Sequence, residues 1–354
     1  MKQKTVGILL LALIIAGAIG YKAFEMNQTP QRILTGLIGG EKIGLVEDPD
    51  VVRILKEKYA IELDYTKAGS MEMVEGDTSS QDFLFPSSQT ALELFKENSA
   101  GLLKSEILFS SPMVFYSWDF VTDALMSQGI VQVMDDTYYV TDMPKLIDAM
   151  IRNRKWSDFG LDQLYGSVAI VTTDPTKSNS GNMFSGLMAN MLNNGEIVDE
   201  ITVQNVLPDL KKCFDKLGYM QSSSGNLFEE YLRMGAGQCP IIAGYESQMI
   251  EFAVQNPQVW KDNKSSIRIL YPIPTVWSAH PYMALTENGI HGITAMMDPE
   301  IQRITWEKHG FRTGTSLNVN TSLFNIEGLP QKINKVISMP KPSVMKTMMD
   351  ALAQ

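Results

Sequence analysis

The amino-acid sequence predicts an α/β protein with room for two lobes, and three observations carry that expectation. From Gln31 onward, strand-like apolar runs alternate with helical ones, the pattern of helices laid over a mostly parallel sheet. A buried strand followed by a hydroxyl-rich turn and a helix occurs once in each half of the chain. The 354 residues are 44% hydrophobic and 20% charged, enough to bury two cores and too apolar for a disordered chain.

The elements can be justified in order. "DPDVVRILKEKY" (48–59) opens with Asp48 and Pro49 as cap and first-turn residues, and its spacing sets Val52, Leu55 and Tyr59 on one helical face. "IELDYTKAG" alternates apolar and polar as a strand does, "DFLFPSSQ" is a short buried strand ending in a hydroxyl turn, and "TALELFKEN" resumes helical spacing. "EILFSSPMVFYSW" (106–118) is two apolar runs split by Ser110, Ser111 and Pro112, which suits a segment crossing between lobes.

The second half repeats this grammar. "MPKLIDAMIRN" is helical, "SVAIVTT" a strand, "SGNMFSGLMANMLNN" a helix closed by Asn194-Gly195, and "PDLKKCFDKLG" a helix ending at Gly218. "CPIIAGYES" and "IRILYPIPTVW" are later strands, and Asp298 and Pro299 start another helix. The only long Ser/Gly-rich stretch is "QSSSGNLF".

Two turns carry the chemistry. "TTDPTKSNSGNMF" (172–184) lies between a strand and a helix, where unpaired backbone N–H groups and the positive end of the helix dipole favour an anion. Ser178, Asn179 and Ser180 add neutral donors, and Gly181 lets a ligand approach the backbone. Ser87, Ser88 and Gln89 form the equivalent turn of the first half. Either turn alone is explained by helix capping. As a pair at the carboxyl ends of strands they predict a binding cleft.

Composition narrows the partners. A formal net charge of −10 with no Lys/Arg cluster argues against nucleic acid. His280, His291 and His309 are dispersed without metal-ligand spacing, so neither a metal nor a cofactor is expected; His280 reads as a structural histidine. No GxSxG, HExxH or Walker sequence occurs, and no enzymatic activity is expected. Cys213 and Cys239 could pair outside the cytoplasm, although two cysteines in so long a chain are expected as free buried thiols. At the N-terminus, Lys2 and Lys4 precede an apolar run from Val6 to Gly20, so residues 1–25 are expected to act as an export signal or a retained membrane anchor, with the rest of the chain extracytoplasmic.

The order of these motifs resembles the extracellular solute-binding proteins of bacterial ABC-type importers, which have the type II periplasmic-binding fold. The resemblance rests on "DFLFPSSQTALELF" and "TTDPTKSNSGNMF" as the ligand loops of the two lobes, "LFSSPMVFYSW" and "YPIPTVWSAHPYMAL" as crossovers, and "AGYESQMIEFA" and "MMDPEIQRITWEKHGFRTG" as the later strand and C-terminal helix. It implies lobe one from 31–115 and 274–354, lobe two from 116–273, and closure over a small anionic solute such as an oxyanion or compact carboxylate. Ser87, Ser88 and Gln89 would line one wall, and Thr173, Ser178, Asn179, Ser180 and Gly181 the other. Tyr245 and Glu246 would sit at a further contact, where a carboxylate is awkward for an anion. Gly39, Gly40 and Glu41 fit the cleft rim or an ordinary turn, and Trp118, Tyr271 and Trp277 fit core or hinge packing. A membrane permease would be the partner; a membrane-tethered sensor using the same cleft is the alternative. The tail departs from the family pattern, and its "PSVMKTMMDAL" reads as a closing helix with Met345, Met348 and Met349 as core contacts.

Overall fold

A computed structural model gives the fold of residues 31–98, 101–313 and 319–353. The signal or anchor expected at 1–25 lies outside these residues; among the described residues no helix is long and apolar enough to cross a membrane. The strands are β1 (Arg32–Ile38), β2 (Ile61–Lys67), β3 (Phe83–Phe85), β4 (Lys104–Trp118), β5 (Val131–Met134), β6 (Thr137–Val140), β7 (Ile241–Tyr245), β8 (Ile267–Pro272), β9 (Trp277–Ala284) and β10 (Arg312–Thr313). They hydrogen-bond in the order β2-β1-β3-β9-β4-β8-β6-β5, with β7 and β10 also paired to β4.

β4 is the spine of the molecule. From Lys104 to Pro112 it pairs antiparallel with β9, beside the β1, β2 and β3 group. From Met113 to Trp118 it pairs antiparallel with β7 and β8, in the other lobe. The Ser/Pro interruption noticed in the sequence therefore marks where this strand passes from one lobe to the next, and 273–276 carries the chain back beside it. The sheet is accordingly mixed, where a mostly parallel one was expected. β1 is parallel to β2 and β3, but every partner of the crossing strand runs against it. A strand shared by both lobes forces that sense on the strand that returns alongside.

Each lobe has its own core. Leu34, Ile38, Phe85, Phe109 and Tyr282 pack together in the first, with the Phe83 ring stacked on Tyr282 at 4.8 Å. Phe115, Phe184, Leu187, Leu210 and Phe214 pack in the second.

Helices start where Asp-Pro pairs stand in the sequence, while the buried face of the first differs from the one its spacing predicts. Asp48 caps the Pro49–Tyr59 helix by accepting from the N–H groups of Asp50 and Val51. The buried face is Val51, Ile54 and Leu55 rather than the Val52, Leu55 and Tyr59 face expected, and Val52 is exposed. The "SVAIVTT" run is extended but not a regular strand; it joins β7 only through Val171, which exchanges two backbone bonds with Ile241 and Ala243, both 2.9 Å. The largest difference lies in the tail. The Pro342–Leu352 helix was assigned with lobe one, but Val344, Met345 and Met348 are buried in the lobe-two core, with Met349 partly buried beside them. The reason is local: Asn190 holds the Ser338 carbonyl at 2.9 Å, and Gly186 lets Met339 approach so closely that a Cβ there would lie 2.4 Å from its methyl carbon.

Candidate functional site in the cleft between the lobes

The two hydroxyl turns meet. Asn179, the first residue of the Asn179–Leu192 helix, donates from Nδ2 to the Ser87 carbonyl at 2.7 Å and to the Tyr245 hydroxyl at 3.1 Å. That contact joins the lobes directly. On the lobe-two side Thr173, Ser178 and Ser180 form a hydroxyl chain, with Ser180 Oγ 2.7 Å from Thr173 Oγ1 and 3.1 Å from Ser178 Oγ. Ser180 and Thr173 are buried, whereas Ser178 is half-buried and faces open space. Gly181 is required by the loop itself, because a Cβ would fall 2.2 Å from the Thr173 carbonyl oxygen. Its expected role in letting a ligand approach is replaced by this packing role.

Beneath the turns lies a buried polar network that the sequence reading did not contain. Lys42 is fully buried; its ammonium donates to Ser87 Oγ at 2.7 Å and to His280 Nδ1 at 3.1 Å. Ser87 Oγ in turn donates to Glu41 Oε2 at 2.9 Å, and Ser278 Oγ donates to the Ser87 carbonyl at 2.9 Å. Burial lowers the Lys42 pKa to about 8, partly offset by the Glu41 charge. Burial, and then the Lys42 charge, lower that of His280 well below its usual value. His280 is thus the satisfied structural histidine expected. Ser87 has no exposed surface, so Ser87, Lys42 and His280 cannot serve as a nucleophile set open to a substrate.

Above this network is a cavity of about 560 Å³, within the range of roughly 300–1,000 Å³ typical of small-molecule sites. Lobe one contributes Gly39, Gly40, Glu41, Lys67 and Ser70, and lobe two contributes Ser178, Asn179, Ser222, Ser223, Ser224, Ser247 and Gln248. The first turns of three lobe-two helices, Asn179–Leu192, Ser224–Met234 and Glu246–Gln255, therefore border one space, through Asn179, Ser224 and Ser247–Gln248. The Ser222–Ser224 wall was missed as a site, although "QSSSGNLF" stood out in composition. Glu229 and Glu251 also line the cavity, and Glu251 is fixed by His309, 2.7 Å from its carboxylate.

Three expected residues turn away. Gln89 is exposed and bonds Glu93, and Ser88 caps its own helix by accepting from the Ala91 N–H at 3.3 Å. Glu246 is fully buried and does not line the cavity; its carboxylate accepts two 2.7 Å bonds from Arg312 and one from the Tyr271 hydroxyl, also 2.7 Å. Tyr245 is buried behind Asn179, and burial raises its pKa well above the usual value. Trp118 and Tyr271 are packed and bonded within lobe two, as expected of core residues. Cys213 and Cys239 are free and buried.

No family model and no curated sequence matches the chain. Solved structures do. An extracellular solute-binding protein from Bordetella parapertussis aligns over 91% of this chain and 96% of its own, with a TM-score of 0.55 and 10% identity. Iron-bound HitA from Pseudomonas aeruginosa aligns over 91% and 97%, with a TM-score of 0.51 and 12% identity. The chain has the type II periplasmic-binding fold. FutA2 from Synechocystis PCC6803 is a further example, covering 91% and 98% at a TM-score of 0.50 and 12% identity. In this periplasmic-binding fold the shared spine β4 and the 273–276 return place the cavity between the lobes, on the side where the two hydroxyl turns meet.

Proposed function

We propose that the protein is an extracytoplasmic solute-binding protein that closes its two lobes over a small solute carrying an anionic group, without covalent chemistry, and presents it to a membrane permease. The observation that carries this reading is the convergence of three helix starts and the hydroxyls of Ser178 and Ser222–Ser224 on one inter-lobe cavity. Helix starts offer unpaired N–H donors and positive potential, and neutral hydroxyls hold an anion without trapping it. The volume of about 560 Å³ exceeds what a bare oxyanion fills, which favours a compact organic anion. Glu41 and Glu251, which also line the cavity, suit hydroxyl or amino groups of the same solute. The apolar run at 6–20 supports export.

A thermal-shift screen of sulfate, molybdate, phosphate and small organic acids tests the proposal, followed by small-angle scattering at saturation. Stabilisation by an anion together with contraction of the molecule is expected, with residues 110–117 and 272–278 absorbing the hinge motion. Stabilisation by neutral or cationic solutes only would overturn the anion reading.

A further inference from the structure

The charged lining of the cavity reduces to two fixed acids. Lys177 is paired with Asp174 at 3.1 Å, Glu72 caps its own helix by accepting from the Gly69 N–H at 3.0 Å, and Lys67 and Glu229 are exposed. There remain Glu41 from lobe one and Glu251 from lobe two, each anchored through one oxygen. Glu41 Oε2 accepts from Ser87 Oγ at 2.9 Å, with the Lys42 ammonium 4.0 Å away on the buried side, and Glu251 Oε1 accepts from His309 Nδ1 at 2.7 Å. Glu41 Oε1 and Glu251 Oε2 have no hydrogen-bond partner among the described residues. Both carboxylates bear on one short lobe-one segment: a Cβ on Gly39 would lie 2.7 Å from Glu41 Oε2, and one on Gly44 would collide with Glu251 Oε1. Closing the lobes therefore brings two acids to the same end of the cavity.

The lobe-two wall offers the opposite chemistry. Ser224 and Ser247 lie in the first turns of the Ser224–Met234 and Glu246–Gln255 helices and line the cavity; they are 6% and 3% exposed, and neither hydroxyl has a partner among the described residues. A hydroxyl so nearly out of solvent calls for a partner, and at a helix start the favoured partner is an anion. Ser247 and Glu251 are four residues apart on one face of the same helix, so donor and carboxylate stand about 5–6 Å apart at Cβ. A bare anion at Ser247 would face Glu251 with nothing between them; a solute that carries its own ammonium would not.

We infer that the solute is a compact zwitterion, its anionic group held by Ser224 and Ser247 and its amino group held between Glu41 and Glu251, and that the amino group is what lets the lobes close. The inference rests on the anion reading of the cleft and narrows it. An ammonium has three donors, enough for the spare oxygen of each carboxylate. Like charges brought together on closure repel, and a cation placed between them turns that repulsion into attraction. An acid of the same size without the amine satisfies the hydroxyls but leaves the two carboxylates facing each other.

The test is calorimetry of the full chain with matched pairs, γ-aminobutyrate against butyrate and O-phosphoethanolamine against ethyl phosphate, beside the anion-free propylamine and ethanolamine. At least one zwitterion should bind about tenfold or more tightly than its deaminated partner, and it alone should contract the molecule in small-angle scattering. Glu41→Gln and Glu251→Gln, which keep acceptors for Ser87 and His309, should each cut that ratio about tenfold. Ser224→Ala combined with Ser247→Ala should weaken both members of a pair alike, as would any merely structural change. A deaminated acid that binds as tightly as its amino partner, or either glutamine variant folded and with the wild-type ratio, overturns the inference and leaves the anion site standing. If neither zwitterion binds, the inference fails and the two acids decide the anion reading by themselves; binding of propylamine or ethanolamine alone ends both. The wild-type ratio decides the matter even if a variant does not fold.

Discussion

Replacing Arg312 by Met separates the two readings of Glu246, ligand contact or internal anchor. Glu246 and Arg312 are both buried and share a bidentate pair with two 2.7 Å bonds, and Arg312 further donates to the carbonyls of Pro330 at 2.7 Å and Gln331 at 3.1 Å. The pair ties the start of the Glu246–Gln255 helix in lobe two to β10, which pairs with β4 at Phe109 and Ser110 on the lobe-one side of the crossing. Removing the cation leaves a carboxylate in the interior with only the Tyr271 hydroxyl, and breaking such a pair costs about 3–5 kcal/mol. At about 2–3 °C per kcal/mol for a body of this size, Tm should fall by roughly 10 °C. Glu246→Gln combined with Arg312→Met removes the unpaired charge while keeping an acceptor for Tyr271, and should recover about half of the loss. Differential scanning calorimetry of the wild type, both single variants and the double variant gives the cycle. An Arg312→Met protein melting within about 2 °C of wild type, yet unable to bind any solute, would refute the anchor assignment and return Glu246 to the ligand site.

Two further outcomes follow from packing. Gly181→Ala places a methyl 2.2 Å from the Thr173 carbonyl oxygen, so the 172–181 loop must shift; a loss of about 1–3 kcal/mol in urea unfolding and weakened solute binding are expected, and an unchanged midpoint with unchanged affinity would show that the loop is not held as described. Cys213 and Cys239 are buried thiols whose pKa values burial pushes up to about 11; a thiol reagent should label neither in the native protein and both after denaturation without reductant, whereas no labelling after denaturation would reveal a disulfide.

The sequence by itself determined the elements and their punctuation. Asp48-Pro49 and Asp298-Pro299 start helices because an Asx side chain accepts from the first-turn N–H groups and proline fixes the first φ. Asn194 and Gly195 stop one because both adopt positive φ there. The Ser/Pro break in "LFSSPMVFYSW" falls where β4 changes partners between the lobes, whereas of the two hydroxyl turns only the second lines the cavity, through Ser178 and Asn179, and Ser87 lies buried beneath it. Tertiary structure decided what no local pattern encodes. Lys42, in an unremarkable "GGEKIG", became a buried charge only because Ser87 and His280, distant in sequence, converge on it. Glu246 stands at the end of β7, where the family resemblance places a ligand contact, yet Arg312 claims its carboxylate from the far end of the chain. The closing helix chose lobe two because Gly186 opened a place for Met339 and Pro340 against the Asn179–Leu192 helix. Burial and ion pairing are properties of approach between distant segments, and a sequence read locally carries the groups but not the approach.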